Sequence, residues 1–341
     1  MHVADIEEAK ETDRNRKGND RKMDLHFTKM EGCGNDYVYI SGFDHEIDPR
    51  NKPQIVRKLS DRHFGIGGDG VIFINPSEIA DFEMEMWNAD GTRGEMCGNG
   101  IRCVGKFVFD KGLTDKKEIT VESFGQVKYL TLYTEKAGSQ EAAHGKTETV
   151  SSVRVNMGAP ILEAAQIPVI ADASPVVAQR IRVSSKEALS PAPAGSAGQD
   201  AGRGAIHSDE AEKEYEMTCV SMGNPHAVVY IDDVAALQIE KTGPLFENHH
   251  RFPNRTNTEF VQIVDREHVK MRVWERGSGE TLACGTGCCA VCVAGVLNGL
   301  TAPKLEVQVL GGKLLIEWDR EKNLVWMTGP ATTVFEGVVT I

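Results

Sequence analysis

No apolar run in this sequence approaches the roughly 20 residues an α-helix needs to cross a bilayer, so a membrane partner is not expected. Cationic excess is missing too. Thirty-eight Lys and Arg stand against 50 Asp and Glu, a net charge of -12, and no dense basic stripe is available to neutralise phosphates. Nucleic acid is therefore not an expected partner. The opening MHVADIEEAKETDRNRKGNDRK lacks the apolar core of a secretory signal and the acid-poor composition of a transit peptide. These absences predict a cytoplasmic protein with a disordered leading tail over 1–23, and its eight cysteines are then mostly thiols rather than a disulfide framework. The string GIGGDG at 65–70 has neither the Lys-Ser/Thr ending nor the following helix of a phosphate loop.

What is present is a long succession of short strand-like segments. LHFTKMEGCGNDYVYISGF reads as strand, glycine turn and strand; GVIFIN, DFEMEMWN, EITVES and VKYLTLYT follow, and GIRCVGKFVFDKG after Cys97 has helical spacing and a terminal glycine. The polar stretch TEKAGSQEAAHGKTETV separates two halves. In the second half VSSVRVNMG, MTCVSMGNPHAVVYIDD, TEFVQIV, HVKMRVWERG, KLEVQVLGGKLLIEWD, LVWMTGP and TTVFEGVVTI are again strand-like, around one apolar helix at ACGTGCCAVCVAGVLNG. The pattern predicts one marked helix per half. Rich in Pro, Ala, Gly and charge, 188–212 cannot bury enough surface to order itself and is expected to be a mobile surface insertion.

The halves answer one another. Trp87 in WNADGTRGEMCGNG and Trp274 in WERGSGETLACGTG each stand 10 residues ahead of a cysteine, Cys97 and Cys284. Gly34-Asn35 and Gly223-Asn224 precede corresponding strands, 62 and 60 residues before those cysteines at Asn35 and Asn224. Three landmarks in one order at nearly one spacing indicate duplication. Two lobes would then face each other across a cleft, with the two cysteines on opposite walls. Each cysteine opens a helix at a glycine-rich turn, where unpaired N–H groups and the helix dipole favour negative charge. That position can lower a thiol pKa and grip a substrate carboxylate. One thiolate could remove an α-proton and a thiol opposite could return one with inversion, the helix ends stabilising the growing charge. No residue pattern points to pyridoxal phosphate.

Other readings compete for the same residues. Cys288, Cys289 and Cys292 suit helix packing. Counting alone also permits a zinc site, through C-x-x-C at Cys289 and Cys292, or a redox module, but the first half offers only Cys97 and Cys103 in return, and no metal is expected. His226 can be a satisfied strand histidine, and Glu275-Arg276 a surface pair.

FTKMEGCGNDYVYI, WNADGTRGEMCGNGIRC, VSMGNPHAVVYI, FPNRTNTEFVQ and WERGSGETLACGTGCCA together resemble the diaminopimelate epimerase family, from about residue 25 to the carboxyl end. The resemblance implies an α+β fold of two pseudo-symmetric lobes, each a mostly antiparallel, barrel-like sheet around a central helix. The lobes would be 24–145, completed by a strand at 330–341, and 150–329. It also implies a cofactor-independent homodimer that interconverts LL- and meso-diaminopimelate for lysine and peptidoglycan precursors. On that resemblance Cys97 and Cys284 are the proton-transfer pair, supported by His226 and Glu275. Gly98, Asn99, Gly285 and Thr286 cradle the reacting carboxylate, and Asn35, Asn88, Asn224, Asn257, Glu275 and Arg276 contact substrate. Two positions depart from the family pattern: Gly70, a glutamine in some members, and Phe335, often a tyrosine at the dimer interface. A related two-cysteine racemase or small-carboxylic-acid isomerase is the rival, which the retained Asn257 and Glu275-Arg276 disfavour.

Overall fold

The computed structural model describes residues 23–94, 96–138, 147–184 and 212–341. The chain runs β1 (Asp24–Gly32), β2 (Asn35–Ser41), helix α1 (Lys52–Ser60), β3 (Gly70–Asn75), β4 (Phe82–Asn88), helix α2 (Gly98–Asp110), β5 (Glu118–Ser123), β6 (Gln126–Lys136) and β7 (Glu148–Gly158). Next come β8 (Gln179–Val183), β9 (Lys213–Ser221), β10 (Pro225–Tyr230), helix α3 (Ile239–Glu247), β11 (Asn257–Ile263) and β12 (His268–Glu275). The short β13 (Gly279–Thr281), helix α4 (Gly285–Leu297), β14 (Lys304–Val309), β15 (Gly312–Asp319), β16 (Leu324–Pro330) and β17 (Thr332–Thr340) follow.

Duplication is visible in the hydrogen-bond ladders. From β1 through β7 successive strands pair antiparallel, parallel, antiparallel, parallel, antiparallel and antiparallel. The same order of signs runs through β9, β10, β11, β12, β14, β15 and β16. β7 and β16, the last strands of the two repeats, pair antiparallel, and β17 returns to pair with β1, Asp24 against Thr340. This is an α+β fold of two pseudo-symmetric lobes.

Each sheet curls round one central helix. α4 is apolar on every side, and Gly285 and Gly287 through Gly295 are all buried, as expected of a helix without a polar face. α2 is buried from Gly98 through Val108, and its Lys106 is satisfied by Asp110 at 2.7 Å and by the Val150 carbonyl at 2.7 Å. A second helix per lobe covers the sheet's outer face. α1 sets Val56 and Leu59 against Val38, Ile40, Val71 and Phe73, while α3 sets Ile239 and Phe246 against Ala227, Val229 and Phe260. Fully burying each such side chain contributes about 1.5–3 kcal/mol. Strands covered on both faces read as continuous apolar runs, as YVYI and VIFI do. The expectation of one helix per half is thus too low. α1 and α3 have only nine residues each, with proline at the entry of one and Pro244 inside the other, so helical periodicity is too short to register. The expected tail and most of the expected insertion lie outside the described residues. No helix among the described residues is long and apolar enough to cross a membrane.

Candidate active site

The two central helices begin with matching caps. Cys97 precedes α2 at φ -122°, ψ 113°, and Cys284 precedes α4 at φ -118°, ψ 108°. Their first turns meet across the lobes: a Cβ on Gly285 would stand 3.7 Å from the Gly98 Cα and 3.1 Å from the Met327 sulfur. The side chain of Asn99 reaches over this junction, its Nδ2 donating to the Ala283 carbonyl at 3.3 Å, and its Oδ1 is buried with no hydrogen-bond partner among the described residues. The structure therefore brings Cys97, Gly98, Asn99, Cys284, Gly285 and Thr286 to one place. There the first-turn N–H groups of two helix N-termini converge, a setting suited to a carboxylate.

The surroundings of the two thiols differ. Cys97 is half-buried; its thiol donates to Asn35 Oδ1 at 3.1 Å, and its sulfur accepts the Gly100 N–H at 3.3 Å. Asn35 is held in turn by Asp69, Nδ2 to Oδ2 at 2.6 Å, and Asp69 by Arg62 at 2.8 Å. Asp69 is the acid of GIGGDG, so that loop serves to orient Asn35. Asn35 itself enters β2 from Gly34 at φ +85°, as Asn224 follows Gly223 at φ +105°, backbone that glycine adopts without strain. Gly70 begins β3 beside Asn88, and a Cβ there would lie 1.9 Å from the Trp87 carbonyl, which leaves no room for a side chain on this backbone. Asn88 donates to Thr92 at 3.0 Å, within its own turn.

Cys284, 5% exposed, lies against acids instead. His226 is fully buried beside it, with Nδ1 2.7 Å from Glu259 Oε1 and Nε2 3.0 Å from Asn224 Oδ1. Ligand-type atoms of His226, Glu259 and Cys284 all lie within 4.8 Å of one another. Among the described residues this is the one group of at least three such side chains placed to hold a metal ion, and Cys289 and Cys292 are not in it. The imidazole Nδ1 and one carboxylate oxygen of Glu259 already bond each other. Glu275 accepts from Thr281 Oγ1 at 2.5 Å, and burial pushes its carboxyl up. Asn257 bonds backbone on both sides: its Nδ2 donates to the Pro225 carbonyl and its Oδ1 accepts the Arg276 N–H at 2.8 Å. It thereby fixes the start of the exposed Arg276 turn, whose Nη1 meets the Asn254 carbonyl at 3.1 Å.

Burial raises both thiols. At Cys97 it outweighs the Gly100 and Asn99 amides and Tyr37, which pull the other way. Cys284 is driven well above the ordinary thiol range by burial, then by Glu275 and Glu259, against Thr286 and the Gly287 amide. The lowered pKa expected at a helix N-terminus is thus present as a contribution but loses to desolvation. The other six cysteines are packing residues, with 0–2% exposure. Because only the thiolate is alkylated, labelling by iodoacetamide should speed up as pH climbs past the usual thiol value of about 8.5. Cys97, more open and free of adjoining carboxylates, should label before Cys284; peptide mass spectrometry showing Cys284 first would contradict this description.

Sequence reasoning missed Asp69 and Glu259. Glu259 could have been found: it lies two residues beyond Asn257 on β11, hence on the same face of the strand. Its Oε2 is buried without a partner among the described residues, and a Cβ on Gly287 would be 2.6 Å from its Oε1, so glycine is what lets α4 pass so near. Glu259→Ala should cost about 1–3 kcal/mol in a urea melt, since the buried His226 Nδ1 loses its partner. An unchanged melt would mean that the pair contributes nothing to folding.

The family model for diaminopimelate epimerase matches residues 27–161 and 218–334. The chain belongs to that family. It is 51% identical over 317 residues to the diaminopimelate epimerase of Agathobacter rectalis, covering 93% of this chain and 100% of that one. For the diaminopimelate epimerase of Methanococcus maripaludis the identity is 48% over the same shares. Among solved structures, a phenazine biosynthesis protein of the PhzF family from Bacillus anthracis superposes with a TM-score of 0.60 at 16% identity, covering 94% of this chain and 100% of that one. A hydroxyproline epimerase from Agrobacterium vitis superposes with 0.57 at 12%, covering 94% and 92%. At such identities these structures share the fold alone. Residues 162–217, which contain the expected insertion, fall outside the two segments that the family model matches.

Proposed function

We propose that this chain interconverts LL- and meso-2,6-diaminopimelate by moving one α-proton between Cys97 and Cys284. The observation that carries the reading is the meeting of two matching cysteine-capped helix N-termini at Gly98 and Gly285. A substrate carboxylate on the amides of Gly98, Asn99, Gly285 and Thr286 places its α-carbon between the walls that bear the two thiols. The thiolate on one wall takes the α-proton: the C–H bond breaks and an S–H bond forms. The opposite thiol delivers its proton to the other face, so configuration inverts and the roles of the cysteines are exchanged. Charge developing on the carboxylate is met by fixed amides and helix dipoles, which need no reorganisation. His226, braced by Glu259, and Glu275 hold the Cys284 side. Arg276, with Asn88 and Asn224, receives the distal amino-acid group, and Asn257 sets the Arg276 turn.

The lobes are read as 24–145 with 330–341, and 150–329, the substrate lying between them. A homodimer is part of the proposal. β17 leaves Val334, Phe335 and Val338 about half exposed, apolar surface suited to a second copy. Light scattering should give twice the chain mass. Eight free thiols suit a cytoplasmic enzyme. The activity is tested by supplying LL-diaminopimelate to the purified protein in plain buffer and separating stereoisomers by chiral chromatography. Accumulation of the meso form to a constant ratio is expected, and an unchanged LL pool would reject the reading.

A further inference from the structure

Arg102, in the second turn of α2, is completely buried, yet it pairs with no carboxylate among the described residues. Its Nη1 donates to the Gly98 carbonyl at 3.0 Å and approaches the Met327 sulfur at 3.6 Å; its Nε donates to the Pro330 carbonyl at 3.1 Å; its Nη2 points to the Cys33 sulfur at 3.9 Å. A guanidinium cannot shed its proton to escape burial. Desolvating an unpaired charge is costly, and two carbonyls and two sulfurs are weak compensation. The charge is placed where an anion would complete it. Met327 lies under both Gly98 and Gly285, so Arg102 sits directly behind the point where the two helix N-termini meet.

We propose that Arg102 is a positioning residue whose buried positive charge backs the carboxylate cradle, strengthening the hold of both helix N-termini on an anion without touching it. The inference rests on the cradle assigned above. The peptide whose carbonyl accepts from Arg102 is the one whose N–H, that of Asn99, belongs to the cradle proposed above, and ordinary bond lengths put an anion on that N–H about 8 Å from the guanidinium. Across an effective dielectric of about 20 the attraction at that separation corresponds to roughly 30-fold in affinity.

The test compares an anionic and a neutral alkylating reagent, iodoacetate and iodoacetamide, at Cys97. Their rate ratio cancels the thiolate population and leaves the field felt by the reagent's carboxylate. Arg102→Gln, which keeps hydrogen bonding but drops the charge, should lower the ratio about 10- to 30-fold and raise KM for diaminopimelate more than it lowers kcat. Arg102→Lys, which keeps the charge, should stay within about threefold of the unmodified enzyme. Equal ratios in Arg102→Gln and the unmodified enzyme overturn the proposal, as does a fall in a folded Arg102→Lys as large as in Arg102→Gln. Should Arg102→Gln not fold, the unmodified protein decides: its ratio at Cys97 must exceed that of the same cysteine in the urea-unfolded chain by at least about 10-fold, and equality overturns the proposal. Diaminopimelate takes no part in the alkylation. A protein that fails to epimerise it but shows the ratio shift rejects the substrate reading alone, while an active enzyme without the shift rejects the role of Arg102 alone.

Discussion

Cys97→Ser and Cys284→Ser are each expected to lower epimerisation by at least about 10³-fold, near the upper part of what one general acid or base contributes. A serine hydroxyl at the same cap keeps the helix start, because serine is itself a favoured N-cap residue, so the melting transition should persist. What is lost is the proton chemistry: a neutral alcohol is a far poorer base than a thiolate and a poorer acid than a thiol. The loss should be similar for both variants, since each direction of the reaction needs one cysteine as base and the other as acid. Near-normal turnover by either folded variant would remove that cysteine from the proton path.

The second large effect concerns the end of the substrate that does not react. Arg276 is exposed at the turn after β12, and among the described residues only Nη1 of its guanidinium is committed, to Asn254, which leaves the rest of the fork to meet a carboxylate. Each hydrogen bond to a charged group is worth about 1.5–3 kcal/mol, and a fork makes two. Arg276→Ala should therefore reduce kcat/KM for diaminopimelate by at least about 10²-fold while leaving alkylation of Cys97 within about twofold. Lysine, which has no second carboxylate, should be turned over at least about 10³-fold less efficiently than diaminopimelate by the unmodified enzyme. Comparable efficiency on the two would favour the racemase rival.

Much of this was legible because duplication writes each landmark twice. The 10-residue spacing from Trp87 to Cys97 and from Trp274 to Cys284 marks strand end, turn and helix start in both lobes, and the ladders repeat in the same order. Strands with one or both faces buried were equally plain. GVIFIN and LVWMTGP coincide with β3 and β16. Other features depended on distance in the chain. Asp69 acts through Asn35, 34 residues away, and Glu259 through His226, 33 away, and no local pattern ties such pairs together. The direction of the thiol shifts was also hidden, because burial is a property of the packed lobes while the helix N-terminus is visible in sequence. Asn257, expected as a substrate contact, also ties Pro225 to the Arg276 turn, a bond pattern that only the folded turn reveals.

The most direct test follows hydrogen. LL-diaminopimelate is incubated with the enzyme in deuterated water, the reaction is stopped at early conversion, and both stereoisomers are recovered and analysed by mass spectrometry and NMR. With two thiols on opposite faces, the proton returned comes from the cysteine that did not take the first one, and that cysteine carries solvent deuterium. The meso product should contain one deuterium, at the inverted α-carbon, while the remaining LL substrate stays unlabelled. Product that retains the original hydrogen, or label entering the LL pool as fast as the product, would mean that one group both removes and returns the proton and would contradict the two-cysteine account.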